Sequence, residues 1–231
     1  MKTEQTSIVE DKTIAVPGEV IAQGMGFIPS TGTYRENENI HAARLGVVSV
    51  DGKVIKLIPL SGTYLPKLND RIIGKIIDVL MTGWRIELRG PYSAVMPLKE
   101  ATSSFVPRNA DLTQYFALGD WVVGKIVNVT SQKLIDVSMK APGLHKLKGG
   151  QVIEVNTQKV PRIIGKEGSM ISLIREATGC NMIVGQNGLV WLDGEPQAQL
   201  HAVEAIRKIE DEAHLPGLTE RITAFLQGKS E

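Results

Sequence analysis

The chain has 231 residues, of which 42% are apolar and 22% charged, and its formal net charge is +1. That balance belongs to a folded globular chain and excludes a disordered charged tail or a wholly basic arm. Cys180 is the single cysteine, so no internal disulfide can form. No run of about 18 apolar residues occurs, so no spanning helix is expected. The opening Met-Lys-Thr-Glu-Gln-Thr has no signal-peptide core, and a cytoplasmic, reducing location is expected.

Residues 1–12 are polar. From Lys12 to Asp51, short apolar segments are punctuated by Val16-Pro17-Gly18, Gly24-Met25-Gly26 and Thr31-Gly32-Thr33-Tyr34. Asp51-Gly52 separates two alternating apolar runs, which predicts a hairpin. No helical period appears before residue 66, so residues 1–66 are expected to form a small all-β domain. Gly24-Met25-Gly26-Phe27-Ile28-Pro29 is not a dinucleotide loop, because the third glycine is missing and no helical pattern follows.

Asp70-Arg71-Ile72-Ile73-Gly74-Lys75-Ile76-Ile77-Asp78-Val79 recurs as Asp120-Trp121-Val122-Val123-Gly124-Lys125-Ile126-Val127-Asn128-Val129. Each copy reads as a β-strand kinked at its glycine. Between and after them come predicted strands at 84–89, 92–96 and 134–139, with a long insertion over 97–118 that carries Phe105. Five strands with a long excursion between the third and fourth describe an oligonucleotide/oligosaccharide-binding (OB) barrel over residues 67–146. This segment holds 11 Lys/Arg against 7 Asp/Glu, a local net charge of +4. Residues 1–66 are net −1 and residues 147–231 net −2. A locally basic domain in a neutral chain suits a polyanion. The second and third strands and the adjoining loops offer Trp84, Arg85, Arg89, Tyr92, Lys99, Arg108 and Lys133. Arginine and lysine meet phosphate, and an aromatic ring can carry a stacked base. Trp84 reads equally as a core residue, with Arg85 then facing outward.

Gly74-Lys-Ile-Ile-Asp-Val79, Trp84-Arg-Ile-Glu-Leu88, Ala94-Val-Met-Pro-Leu98 and Gly119–Val129 together resemble the ribosomal S-one-type RNA-binding barrel. An arginine, Arg85, stands where that pattern usually has an aromatic, which shifts the expectation from base stacking to phosphate contacts.

Residues 141–150 read as a linker. Residues 147–231 are expected to hold a three-stranded antiparallel sheet with helices: a strand at 151–155, a helix at 160–164, Gly165-Lys166-Glu167-Gly168, a helix at 170–178 capped by Ser169 and ended by Gly179, strands at 182–184 and 189–192 around Asn187-Gly188, and a long helix from Pro196. Leu200, Val203, Ile206 and Ile209 form the predicted apolar stripe of that helix, and 218–226 a final one. This order, with Ile163-Ile-Gly-Lys-Glu-Gly-Ser-Met-Ile171, resembles a KH domain. In that family the Gly-x-x-Gly loop clamps about four nucleotides. The resemblance implies RNA contacts at Gly165, Lys166 and Gly168, with Lys159 and Arg162 offsetting the carboxylate of Glu167. Trp191 and Cys180 are expected in the core.

The histidines, His41, His145, His201 and His214, are scattered and lack cysteine partners at zinc spacing. The remainder of a P-loop is missing after Gly124-Lys125 and Gly165-Lys166, and Gly-x-Ser-x-Gly does not occur. No catalytic residue, metal or cofactor is expected.

The whole chain is similar to the RNA-binding cap subunit of the archaeal exosome. In the first domain Val16-Pro-Gly18, Gly32-Thr-Tyr34, Ala42-Ala-Arg-Leu-Gly46 and Tyr64-Leu-Pro66 carry the likeness. The resemblance implies three cap subunits on a hexameric ring of phosphorolytic RNase subunits, with single-stranded RNA as ligand, no membrane partner and no catalysis by the cap itself. Three rivals remain at this level, one of them a plain interaction protein with vestigial RNA domains. An antitermination-type transcription factor also joins such a barrel to KH domains, normally two of the other topology. Polynucleotide phosphorylase carries KH before barrel, behind a catalytic core that this sequence lacks.

Overall fold

In the first unit, Met1–Gly62, every helix or strand among the described residues is a β-strand. The computed structural model describes residues 6–7, 10–60, 62–102, 107 and 110–228, so Arg108 and Phe105 lie outside the described residues. In chain order the strands are β1 (Thr6–Ser7), β2 (Ile14–Ala15), β3 (Val20–Gln23), β4 (Ile28–Pro29), β5 (Thr33–Glu36), β6 (Asn39–Ala42), β7 (Gly46–Asp51) and β8 (Val54–Pro59). They form two four-stranded sheets, β1-β3-β6-β5 and β2-β7-β8-β4. Ile21, Ile40, Val48, Ile55 and Leu57 are buried together. The Asp51-Gly52 hairpin is present, with Asp51 opposite Val54 and Gly52 at φ 59°.

The second unit, Thr63–Glu231, holds a barrel and a helix-covered sheet. The barrel strands are β9 (Arg71–Leu80), β10 (Gly83–Glu87), β11 (Ser93–Pro97), β12 (Trp121–Val129) and β13 (Ile135–Ser138), with the short α1 (Leu98–Ala101) after β11. They close in the order β10-β11-β13-β12-β9. Tyr64 reaches the barrel core, and its hydroxyl donates to Asp70 Oδ2 at 2.7 Å. Burial and that carboxylate push the Tyr64 phenol well above its ordinary range.

The repeat governs the closure, because β9 and β12 pair antiparallel about a local two-fold axis. Ile76 N donates to Asp120 O at 2.8 Å, and the equivalent Ile126 N to Asp70 O at 2.9 Å. Asn69 N and Gly119 N donate to Ile126 O and Ile76 O, both at 2.9 Å, from residues that are both left-handed. The expected bend at each glycine resolves into two devices. At Gly74 and Gly124 the strand passes close to its neighbour: a Cβ would lie 2.2 Å from Ile86 Cγ2 or 2.4 Å from Val137 Cγ1. Three residues on, Ile77 and Val127 are each left unpaired in a bulge, which bends and twists the strand. The doublets Ile72-Ile73 and Val122-Val123 are apolar throughout because both faces are covered. Ile72 and Val122 enter the barrel core, while Ile73 and Val123 join Leu147, Leu189 and Trp191 outside it.

The C-terminal region holds β14 (Gln151–Glu154), α2 (Val160–Ile164), α3 (Ser169–Thr178), β15 (Asn181–Val184), β16 (Leu189–Asp193), α4 (Pro196–Glu212) and α5 (Leu218–Leu226). The sheet order is β14-β16-β15, antiparallel throughout. Cys180 is buried in this core. Two details differ from expectation. Ser169 is the first helical residue and does not cap α3; the chain enters through left-handed Gly168. Leu200 is 60% exposed, and the buried stripe of α4 is Ala202, Ala205, Ile206 and Ile209, where small alanines let the helix approach the sheet closely. Among the described residues no helix is long and apolar enough to cross a membrane.

Candidate nucleic-acid interface

Strand β10 alternates strictly. Trp84 and Ile86 point into the barrel, as does Leu88 just beyond the strand, while Arg85 and Glu87 face out. Arg85 is about half exposed, with the Asp78 carboxylate 4.0 Å away. Tyr92, which leads into the paired strand β11, is exposed, as are Lys99 on α1 and left-handed Lys133 in the β12–β13 loop. Exposed cations of this kind can meet a phosphate backbone and an exposed ring can carry a base, although Glu87 and Asp78 share the outer side of β10 with Arg85.

Two residues leave that set. Trp84 is fully buried: its Nε1 donates to Phe116 O at 3.0 Å and its ring meets Phe116 edge-on. It is therefore a core residue and cannot stack on a base. Arg89 is already engaged. One guanidinium nitrogen donates to Val155 O at 2.7 Å and Gly188 O at 2.8 Å, and another lies 2.9 Å from Glu154 Oε2. It ties the barrel to the C-terminal sheet, and these partners rather than a phosphate hold its guanidinium in this structure. Alternation along the strand placed Arg89 beside Arg85; only the neighbouring domain's carbonyls and carboxylate redirect it.

In the Gly165–Gly168 loop, Gly165, Glu167 and Gly168 all have positive φ, of 74°, 53° and 83°. A Cβ on Gly165 would lie 2.6 Å from Met170 N, so only glycine fits there. Lys166 and Glu167 are exposed. Helix α3 begins without a side-chain cap, and its first amide, Ser169 N, donates to Lys166 O of the loop. Lys159 is half-buried. Arg162 is exposed and lines an open cleft of about 520 Å³ with the α4–α5 turn, residues 213–220.

The residue that sequence reasoning missed is Asn187. It is fully buried at the barrel–sheet seam. Its Oδ1 accepts from Ile73 N at 3.2 Å, and its Nδ2 donates to Ile73 O at 2.7 Å and Leu88 O at 3.0 Å. Gln186 N donates to Arg71 O at 2.8 Å, and Trp191 Nε1 to Gly149 O at 2.9 Å. The signal was present: Gly185-Gln186-Asn187-Gly188 is a second Gly-x-x-Gly, read at first only as a turn.

A closed five-stranded OB-type barrel, fused to a sheet-and-helix domain with an exposed Gly-x-x-Gly loop, defines a class: multidomain proteins that join an OB barrel to a KH domain. Residues 150–208 match the KH domain family, and residues 14–51 match the family described as the exosome complex exonuclease RRP4 N-terminal region. The chain is 38% identical over 218 residues to the exosome complex component Rrp4 of Methanothermus fervidus, covering 94% of this chain and 96% of that one. It is 37% identical over 225 residues to Rrp4 of Pyrococcus furiosus, covering 96% and 85%. A crystal structure provisionally named as an exosome complex RNA-binding protein superposes with TM-score 0.65 at 30% identity, covering 73% of this chain and 97% of that one. The chain belongs to the Rrp4 family of archaeal exosome components.

Proposed function

We propose that this chain is a non-catalytic RNA-binding subunit of an archaeal-type exosome in the cytoplasm. Residues 1–66 dock it on a hexameric ring of phosphorolytic RNase subunits, three caps to a ring. The barrel (67–146) and KH domain (147–231) take single-stranded RNA and pass its 3′ end to the pore for degradation or tailing. The observation that carries this reading is the 38% identity to Rrp4 along nearly the full length of both chains. The open cations of the barrel support it: Arg85, Lys99 and Lys133 would follow the phosphates, and Tyr92 would carry one base. Gly165, Lys166 and Gly168, with Lys159 and Arg162, would form a second, weaker grip.

The test is a pull-down from native extract with the full chain as bait. Recovery of paired phosphorolytic RNase subunits is expected; recovery of RNA polymerase instead would favour the antitermination-type factor and overturn the reading. Purified chain incubated with labelled RNA and phosphate is expected to release no nucleoside diphosphate.

A further inference from the structure

The lysines shared by the two copies of the repeat, Lys75 and Lys125, have no part in the interface described so far. The local two-fold gives them different neighbours. Lys75 lies opposite Trp121, its ammonium 5.8 Å from the ring centroid. Lys125 lies opposite Arg71 on β9 and, on its other side, opposite Ser138 on β13. Arg71 and Lys125 thus form a row of two cations across β9 and β12, while the Ser138 hydroxyl beside them is buried and accepts from Lys140 N at 3.2 Å. Like charges directly opposite on adjacent strands repel and destabilise the pair. Here nothing nearby relieves them: among the described residues neither Arg71 nor Lys125 has a carboxylate oxygen within 4.0 Å. Arg71 gives one N–H to Gly143 O at 2.6 Å, which leaves most of its five donors. Its backbone carbonyl receives Gln186 N of the second Gly-x-x-Gly loop, so the row sits at the seam between barrel and KH domain.

We infer that Arg71 and Lys125 form a second RNA-phosphate contact, on the β9–β12 face of the barrel and distinct from the β10–β11 face. The inference rests on the RNA-binding reading above. A fork of N–H donors beside a point ammonium is suited to phosphate oxygens. An anion bridging the two would also offset their like charge. A single strand longer than the β10–β11 footprint would reach this contact, and a short one would not.

The test is fluorescence anisotropy of the full chain with labelled oligouridines of about 6 and about 20 nucleotides, bracketing the span of one barrel. Replacing both Arg71→Gln and Lys125→Gln should leave the short oligomer unaffected. For the long one it should weaken binding about tenfold and lower the log–log salt slope by about 0.7, the share of the one bridged phosphate. Lys125→Glu separates binding from folding: it gives Arg71 an opposite charge, so the melting temperature should hold or rise while long-RNA affinity falls. Unchanged affinity and slope for the long oligomer in both variants would overturn the inference, as would retained RNA binding with lost capture of ring subunits, which would assign the pair to a protein contact. Absence of RNA binding by the unaltered chain would instead overturn the reading beneath it.

Discussion

The KH domain contains two Gly-x-x-Gly loops in opposite environments. Gly165-Lys166-Glu167-Gly168 holds its middle residues in solvent, ahead of an uncapped helix. Gly185-Gln186-Asn187-Gly188 lies against the barrel, with Asn187 buried on the backbone of Ile73 and Leu88. In both, glycine allows a close approach of backbone to something else. What occupies the middle positions decides what that is: an exposed lysine suits a polyanion, whereas an asparagine with one acceptor and two donors satisfies strand backbone groups that already belong to the protein. The spacing of glycines alone therefore does not identify a nucleic-acid loop.

The sharpest way to break this comparison is Asn187→Ala. It leaves the Ile73 N–H and the Ile73 and Leu88 carbonyls buried without partners, at about 1–3 kcal/mol for each group. A loss of about 3–5 kcal/mol in urea unfolding is expected, with RNA affinity kept in the fraction still folded; unchanged stability would remove Asn187 from its role. The glycines should differ next. A Cβ on Gly188 meets Val155 O at 2.6 Å, whereas Gly168 has open space around it. Both have positive φ, so Gly168→Ala should cost about 1–2 kcal/mol of strain and Gly188→Ala more, by thermal melts of the two variants side by side. Lys166→Gln should leave stability alone and weaken RNA binding about threefold, less than Arg85→Gln at about tenfold; the reverse ranking would move the main grip from barrel to loop.

The smallest effect concerns acid. A hydrogen bond from Lys208, aided by the charges of Lys208 and Arg221, holds the Glu212 carboxyl below its ordinary 4.5. A carboxyl depressed in the folded state adds stability above its unfolded value and loses it as pH falls through the folded one. Hydrogen exchange below pH 4.5 should therefore open α5 from α4 before the seam loosens.

Sequence reasoning was strongest where one period dominated. Strand β12 and helices α2 and α5 fall at the expected residues, because a β-branched run, a proline start and a short amphipathic stretch leave little choice. It was weakest where a third dimension decides. Alternation put Trp84 and Arg85 on opposite faces but left open whether Trp84 met RNA or the core, and it could not show that Glu154 and two carbonyls wait for Arg89. Of the expected stripe Leu200, Val203, Ile206 and Ile209, the last three pack on the core and only Leu200 turns out to solvent, its place taken by the small Ala202 and Ala205. The doublets Ile72-Ile73 and Val122-Val123 did carry the message that both faces of β9 and β12 are covered, before any partner domain was in view.

The most direct test of the central claim is ultraviolet cross-linking of single-stranded oligouridine to the full chain, with adducts located by mass spectrometry. Adducts at Tyr92, near Arg85 and in the Gly165–Gly168 loop, with none in Gly185–Gly188, are the predicted result. Adducts concentrated in the buried loop, or a protein that binds RNA and gives none on the β10–β11 face, would contradict it.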